Sequence, residues 1–110
     1  MNTCRVILDT NIIVSALLSP MGNPAKIYRM IFTGAVSLFY STDIFEEYQD
    51  VLYRTHLRIP ADDMKMVFAA IRQHGKKIEP VPCTIPTVDK DDRFFYDTAK
   101  SADAYLITGN

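Results

Sequence analysis

The chain has 110 residues, 48% of them hydrophobic and 23% charged, with a formal net charge of -1. That size and balance fit one globular domain spanning residues 1–110, and no apolar run reaches the ~18 residues that a transmembrane helix requires, so no membrane partner is expected. The near-neutral charge gives no whole-molecule attraction for nucleic acid, and any phosphate binding needs local cations or a bound metal.

In chain order, Val6-Ile7-Leu8 is a short continuous apolar run of the kind that forms a strand buried on both faces of a parallel sheet. Thr10 is placed to cap a helix through "NIIVSALL", which "SPMGNP" then breaks. Asn23 as N-cap, Pro24 at the first helical position and Gly34 after the end delimit a second helix, "AKIYRMIFT". "AVSLFY" reads as a second buried strand ending at Ser41-Thr42-Asp43, after which Ile44, Tyr48, Val51, Leu52 and Thr55 recur at helical spacing. "HLRIP" interrupts. "ADDMKMVFAAIRQH" is a helix closed by Gly75, and "KIEPV" is a third strand shortened by its prolines. "PCTIPTVDK" is a loop, Asp91-Asp92 open a last helix with Phe95, Ala99 and Ala102 on one face, and "AYLIT" is a fourth strand.

Strands alternating with helices imply right-handed crossovers and an α/β class, a parallel sheet covered on both sides. Ligands of such sheets sit beyond the carboxyl ends of the strands. Asp9 follows the first strand, Asp43, Glu46 and Glu47 follow the second, and Asp91 and Asp92 precede the fourth. Helix spacing sorts them. Glu47 has Ile44 at i-3 and Val51 at i+4 and points inward, whereas Glu46 neighbours Gln49 and Asp50. Asp92 heads the stripe of Phe95 and Ala99, while Asp91 is turned away and suited to capping. Asp43, Glu46 and Asp91 are read as helix-start residues favoured by the dipole.

Asp9, Glu47 and Asp92 are thus expected in one crevice. Two carboxylates ~4 Å apart repel by about 4 kcal/mol at an effective dielectric of 20, so three need neutralising. No Lys or Arg adjoins them at core-facing spacing; a shared proton would serve, but a hard cation, Mg2+ or Mn2+, fits an oxygen-only set better. Metal-assisted phosphodiester hydrolysis is the reaction expected there. Cys4 and Cys83 match no metal or redox spacing and no signal peptide precedes them, so both are expected to be reduced thiols of a cytoplasmic protein. Arg54, Arg58, Lys76, Lys77, Lys90 and Arg93 are read as solvated surface, His56 and His74 as surface histidines, and Phe39, Phe94 and Phe95 as core.

The stretches "VILDTNIIVSALL", "STDIFEEYQDVL" and "DKDDRFFYDTAKSADAYLITGN" resemble the successive motifs of PIN-domain ribonucleases, in particular the VapC-like toxins of toxin-antitoxin pairs, over nearly the whole chain. The resemblance implies a three-layer α/β/α fold. It also implies a metal-dependent endoribonuclease whose first, second and third acids fall on Asp9, Glu47 and Asp92. These would hold one or two Mg2+ or Mn2+ ions, with Asp9 the central ligand. Asn11, Ser41 and Thr108 fall on small polar positions that in relatives line the same pocket, and capping or turn hydrogen bonds explain them equally well. An RNA substrate, a cognate antitoxin and a homodimer follow from the resemblance alone.

Two departures stand out. Many PIN domains carry a fourth acid where this chain has Asn110, which still offers an oxygen to a water. Relatives also continue through another helix and a fifth strand, so the final helix-strand step is expected to be missing and the domain truncated. Receivers need a lysine after a late strand, where this chain has "TGN", and aspartyl-phosphate phosphatases want Asp-x-Asp-x-Thr where it has "DTNII"; both fit poorly. A catalytically degenerate PIN-fold module that binds a protein partner is the remaining alternative.

Overall fold

The structure is a computed structural model that describes residues 3–54, 57–82 and 93–109. Among the described residues four strands, β1 (Cys4–Leu8), β2 (Val36–Tyr40), β3 (Lys76–Lys77) and β4 (Tyr105–Ile107), form one sheet in the order β3-β2-β1-β4. Each pairing in it is parallel: Val6 lies opposite Leu38 on one side and Tyr105 on the other, and Phe39 lies opposite Lys76. Five described helices flank the sheet in an α/β/α arrangement: α1 (Thr10–Leu18), α2 (Asn23–Thr33), α3 (Thr42–Leu52), α4 (Ala61–His74) and α5 (Arg93–Ala102). No described helix is long and apolar enough to cross a membrane.

The central strands carry continuous apolar runs because both faces are covered. Val6, Ile7 and Leu8 are at most 2% exposed, and removing such side chains from water contributes about 1.5–3 kcal/mol each. Helix α1 packs on β1, α2 and α3, while α5 crosses β1, β2 and β4 and meets α3. Phe39 and Phe95 are buried and Phe94 packs against the core from a partly buried position, as expected of core aromatics. The face of α5 anticipated from Phe95, Ala99 and Ala102 is the one that packs on this core.

Several boundaries differ from those the sequence suggests. Thr10 is not the cap of α1; Asp9 holds the N-cap position in extended backbone, and Thr10 is the first helical residue. Likewise Gly22, not Asn23, precedes α2, which ends as expected at Gly34 in the left-handed conformation (φ 80°) that glycine adopts without cost. Helix α3 stops at Leu52, and Thr55 lies outside the described residues. The third strand is Lys76–Lys77 rather than "KIEPV". Only these two residues find partners on β2, with Ile78 N adding one more bond to Tyr40 O at 2.9 Å before the proline-rich segment leaves the sheet.

Gly75 ends α4 because there is no room for a side chain. A Cβ there would stand 2.6 Å from Ile71 O and 2.9 Å from Tyr40 Cε1. The chain therefore leaves α4 and enters β3 within one residue, directly against β2.

Candidate active site

The strand order reverses between β1 and β4, the switch point at which open α/β sheets bind ligands. Asp9 occupies it. Its amide donates to Ile107 O at 2.9 Å, joining the ends of β1 and β4, and its carbonyl accepts from Ile12 N at 3.0 Å as α1 begins. With Thr108, Phe95, Leu106 and Tyr96 it lines a crevice of about 60 Å³, room for a few waters.

The second acid arrives on α3. Ser41 is 1% exposed and its hydroxyl accepts from Ile44 N at 3.3 Å, so it caps this helix, fixing where α3 starts and hence where its later residues fall. Glu47 is half-buried and Glu46 exposed, the orientation that helical spacing predicts. The Thr10 hydroxyl donates to the Glu47 carboxylate, and the next residue of α3, Tyr48, donates its hydroxyl to Leu8 O. Consecutive residues of α3 therefore grip the two residues that flank Asp9 in the chain.

Tyr48 is fully buried, and its pKa is pushed well above the ordinary tyrosine value. Burial is the main cause, and the nearby negative charges of Asp9 and Glu47 add to it. The phenol consequently stays protonated and serves as a fixed donor. The bonds of Glu47 to Thr10 and of Tyr48 to Leu8 O bring α3 against both chain neighbours of Asp9 at the end of β1.

Asp92, the third acid expected here, lies outside the described residues, as do Asp91 and Asn110. Among the described residues no group of three His, Cys, Asp or Glu is arranged to hold a metal ion. Thr108 lines the crevice beside Asp9, whereas Asn11 is exposed on the first turn of α1. Ser41 is engaged as a cap. Asp9 and Glu47 offer carboxylate oxygens, hard donors that suit Mg2+ or Mn2+ better than a soft metal.

Sequence reasoning missed the parts played by Thr10 and Tyr48. A buried tyrosine must find a partner for its hydroxyl, and its position directly after an inward glutamate was the available signal. Helix α5 also buries a carboxylate, Asp97, at 7% exposure, which the apolar stripe did not select.

A parallel 3-2-1-4 sheet with acids gathered at its switch point defines an α/β protein with a polar, carboxylate-lined crevice. The chain belongs to the PIN domain family, whose sequence model matches residues 5–110. It is 28% identical over 109 residues to an uncharacterized protein of Methanocaldococcus jannaschii, an alignment covering 96% of this chain and 70% of that protein. No solved structure is significantly similar. PIN domains are usually nucleases that act on RNA or other nucleic acid and generally use divalent metals.

Proposed function

We propose that this chain is a metal-dependent endoribonuclease that hydrolyses RNA phosphodiester bonds, with Asp9, Glu47 and Asp92 as its acids and Mg2+ or Mn2+ as its cofactor. The observation that carries this reading is the docking of α3 around Asp9 at the sheet's switch point, Glu47 accepting from Thr10 and Tyr48 donating to Leu8 O on either side of that acid. When bound, the divalent ion supplies a more acidic water and neutralises charge developing on the phosphate. The chain's own residues do the rest. Asp9 offers the central oxygen ligand from a backbone tied to β4, Thr10 orients Glu47, and Tyr48 keeps its proton and anchors α3 to β1. Asn11, Ser41 and Thr108 belong to the surroundings of the site, Ser41 through its cap; Asn110 is assigned to it by the family resemblance alone.

In this reading the protein is a cytoplasmic toxin of a toxin-antitoxin pair, works as a homodimer and is silenced by a cognate antitoxin that covers the acids. The test is Asp9→Asn, assayed for Mn2+ binding by calorimetry and for cleavage of single-stranded RNA. The variant is expected to fold, to lose Mn2+ binding and to lose cleavage; undiminished cleavage overturns the assignment. A wild-type chain without Asp9-dependent Mn2+ binding is instead a degenerate protein-binding module. Expression in a bacterial host tests the toxin role: growth arrest by the wild type and none by Asp9→Asn is expected, and growth unaffected by either removes it.

A further inference from the structure

A roomy cavity lies away from the acids. It is a groove of about 650 Å³ at the opposite end of the sheet, lined by Arg5, Ser37, Phe39 and Lys76 and bounded by Asp103 and Tyr105. The register explains its composition. Arg5 lies opposite Ser37, and Lys76 lies opposite Phe39, so these side chains share one face of three adjacent strands. Both cations converge on one ring, the Arg5 guanidinium 5.5 Å and the Lys76 ammonium 5.7 Å from the centroid of Phe39. Arg5 is held further by a 3.0 Å bond from Nη1 to Ala102 O at the end of α5. The hydroxyls of Thr3 and Ser37 pair beside them. Two exposed cations, aligned over a buried ring and accompanied by hydroxyls, form a pre-arranged receptor for phosphate oxygens.

We propose that this groove is a second phosphate-binding site, occupied by the sugar-phosphate backbone of the same single-stranded RNA whose scissile bond lies at Asp9. The proposal rests on the nuclease reading. Arg5 and Asp9 are four residues apart along β1, about 13 Å at the usual rise, and because both faces of β1 are covered the RNA has to pass around the sheet, which takes more than the about four stacked nucleotides of the direct span. A strand of about twelve nucleotides is long enough to reach both ends of the sheet. Asp103, the acid in the lining, is an acceptor suited to a ligand that offers hydroxyl donors between its phosphates.

The experiment uses the Asp9→Asn protein, which binds without cutting, and fluorescein-labelled single-stranded RNAs of about four and about twelve nucleotides, read by anisotropy across a KCl series. The longer RNA is expected to bind about tenfold more tightly. Lys76→Glu in the same background should erase that advantage and flatten the salt dependence by about 0.7 for each phosphate no longer neutralised, with an unchanged thermal melt. Arg5→Gln should act in the same direction. A length advantage that survives both substitutions overturns the proposal. So does a length-independent affinity displaced by AMP or inorganic phosphate, which marks a free-phosphate site, and so does equal competition by polyglutamate. Because binding is read without turnover, a wild-type chain that fails to cleave RNA yet keeps the Lys76-dependent length effect defeats the nuclease reading and leaves the groove standing.

Discussion

The hydroxyl of Thr10 donates to the carboxylate of Glu47, so the residue that follows Asp9 in β1's exit is joined to a helix that begins thirty-odd residues later in the chain. This bond restricts the rotamers of Glu47 before any ligand arrives. Replacing a partner that orients a ligating carboxylate typically costs about 10–100-fold in metal affinity or activity. Thr10→Val, which keeps the branched shape but lacks the hydroxyl, should lower Mn2+ affinity and RNA cleavage by that order while the fold persists. Thr10→Ser should retain most of both. Calorimetric Mn2+ titration alongside a cleavage assay makes the comparison, and a Thr10→Val protein with wild-type affinity would show that Glu47 is positioned by other means.

Tyr48 gives the protein an alkaline limit. Its folded-state pKa is raised above the ordinary 10.0, so between that value and the higher folded one the unfolded chain loses the phenolic proton while the folded chain keeps it. Stability attributable to this group is therefore complete below pH 10 and falls as pH climbs further, by up to about 1.4 kcal/mol per pH unit. Tyr48→Phe should remove this increment of alkaline sensitivity. At neutral pH it should cost about 1 kcal/mol for the bond to Leu8 O. Urea denaturation of both proteins at about pH 8 and about pH 11 reads the two effects separately, and identical pH dependence in the two proteins would contradict the account.

Ser41 acts as an N-cap, and its substitution should behave as the loss of one. Ser41→Ala leaves Ile44 N without the hydroxyl it uses and is expected to destabilise the fold by about 1 kcal/mol, measured by chemical denaturation. Ser41→Asp, which supplies an alternative cap, should recover less than Ser41→Thr because the position is 1% exposed and a second charge there is costly.

Gly75→Ala should be more damaging than a usual surface change. The added methyl meets Ile71 O and the ring of Tyr40, and neither can withdraw without disturbing α4 or β2. Overpacking of this kind typically costs about 1–3 kcal/mol. A thermal melt of the variant is the measurement, and an unchanged midpoint would mean that the α4-β3 junction yields more readily than its close approaches indicate.

Much of the architecture was legible because its signals are local. Val6-Ile7-Leu8 must be buried on both sides, Gly34 must end a helix, and the alternation of strand and helix leaves a parallel sheet as the natural outcome. The inward turn of Glu47 against Glu46 was legible for the same reason, since helical periodicity alone separates neighbours. What was hidden depends on parts of the chain that meet only in the folded state. Seen locally, Thr10 is a capping residue; it becomes the partner of Glu47 only when α3 docks against the end of β1. Tyr48 looked like one more apolar position until its hydroxyl met Leu8 O. The third strand was misplaced because its two residues pair wherever Phe39 and Tyr40 present a free edge, which apolarity does not encode. Lys76, by spacing a solvated surface lysine, lies over Phe39 only through that pairing.

The brevity of β3 bears on how the protein behaves at high concentration. A long, flat, apolar border invites a neighbouring molecule to continue the sheet, whereas a border of only two residues, both lysines and both exposed, offers few free amides and repels its own copy. Among the described residues β3 is the outermost strand on that flank, and its charge and shortness resist fibrillar growth there.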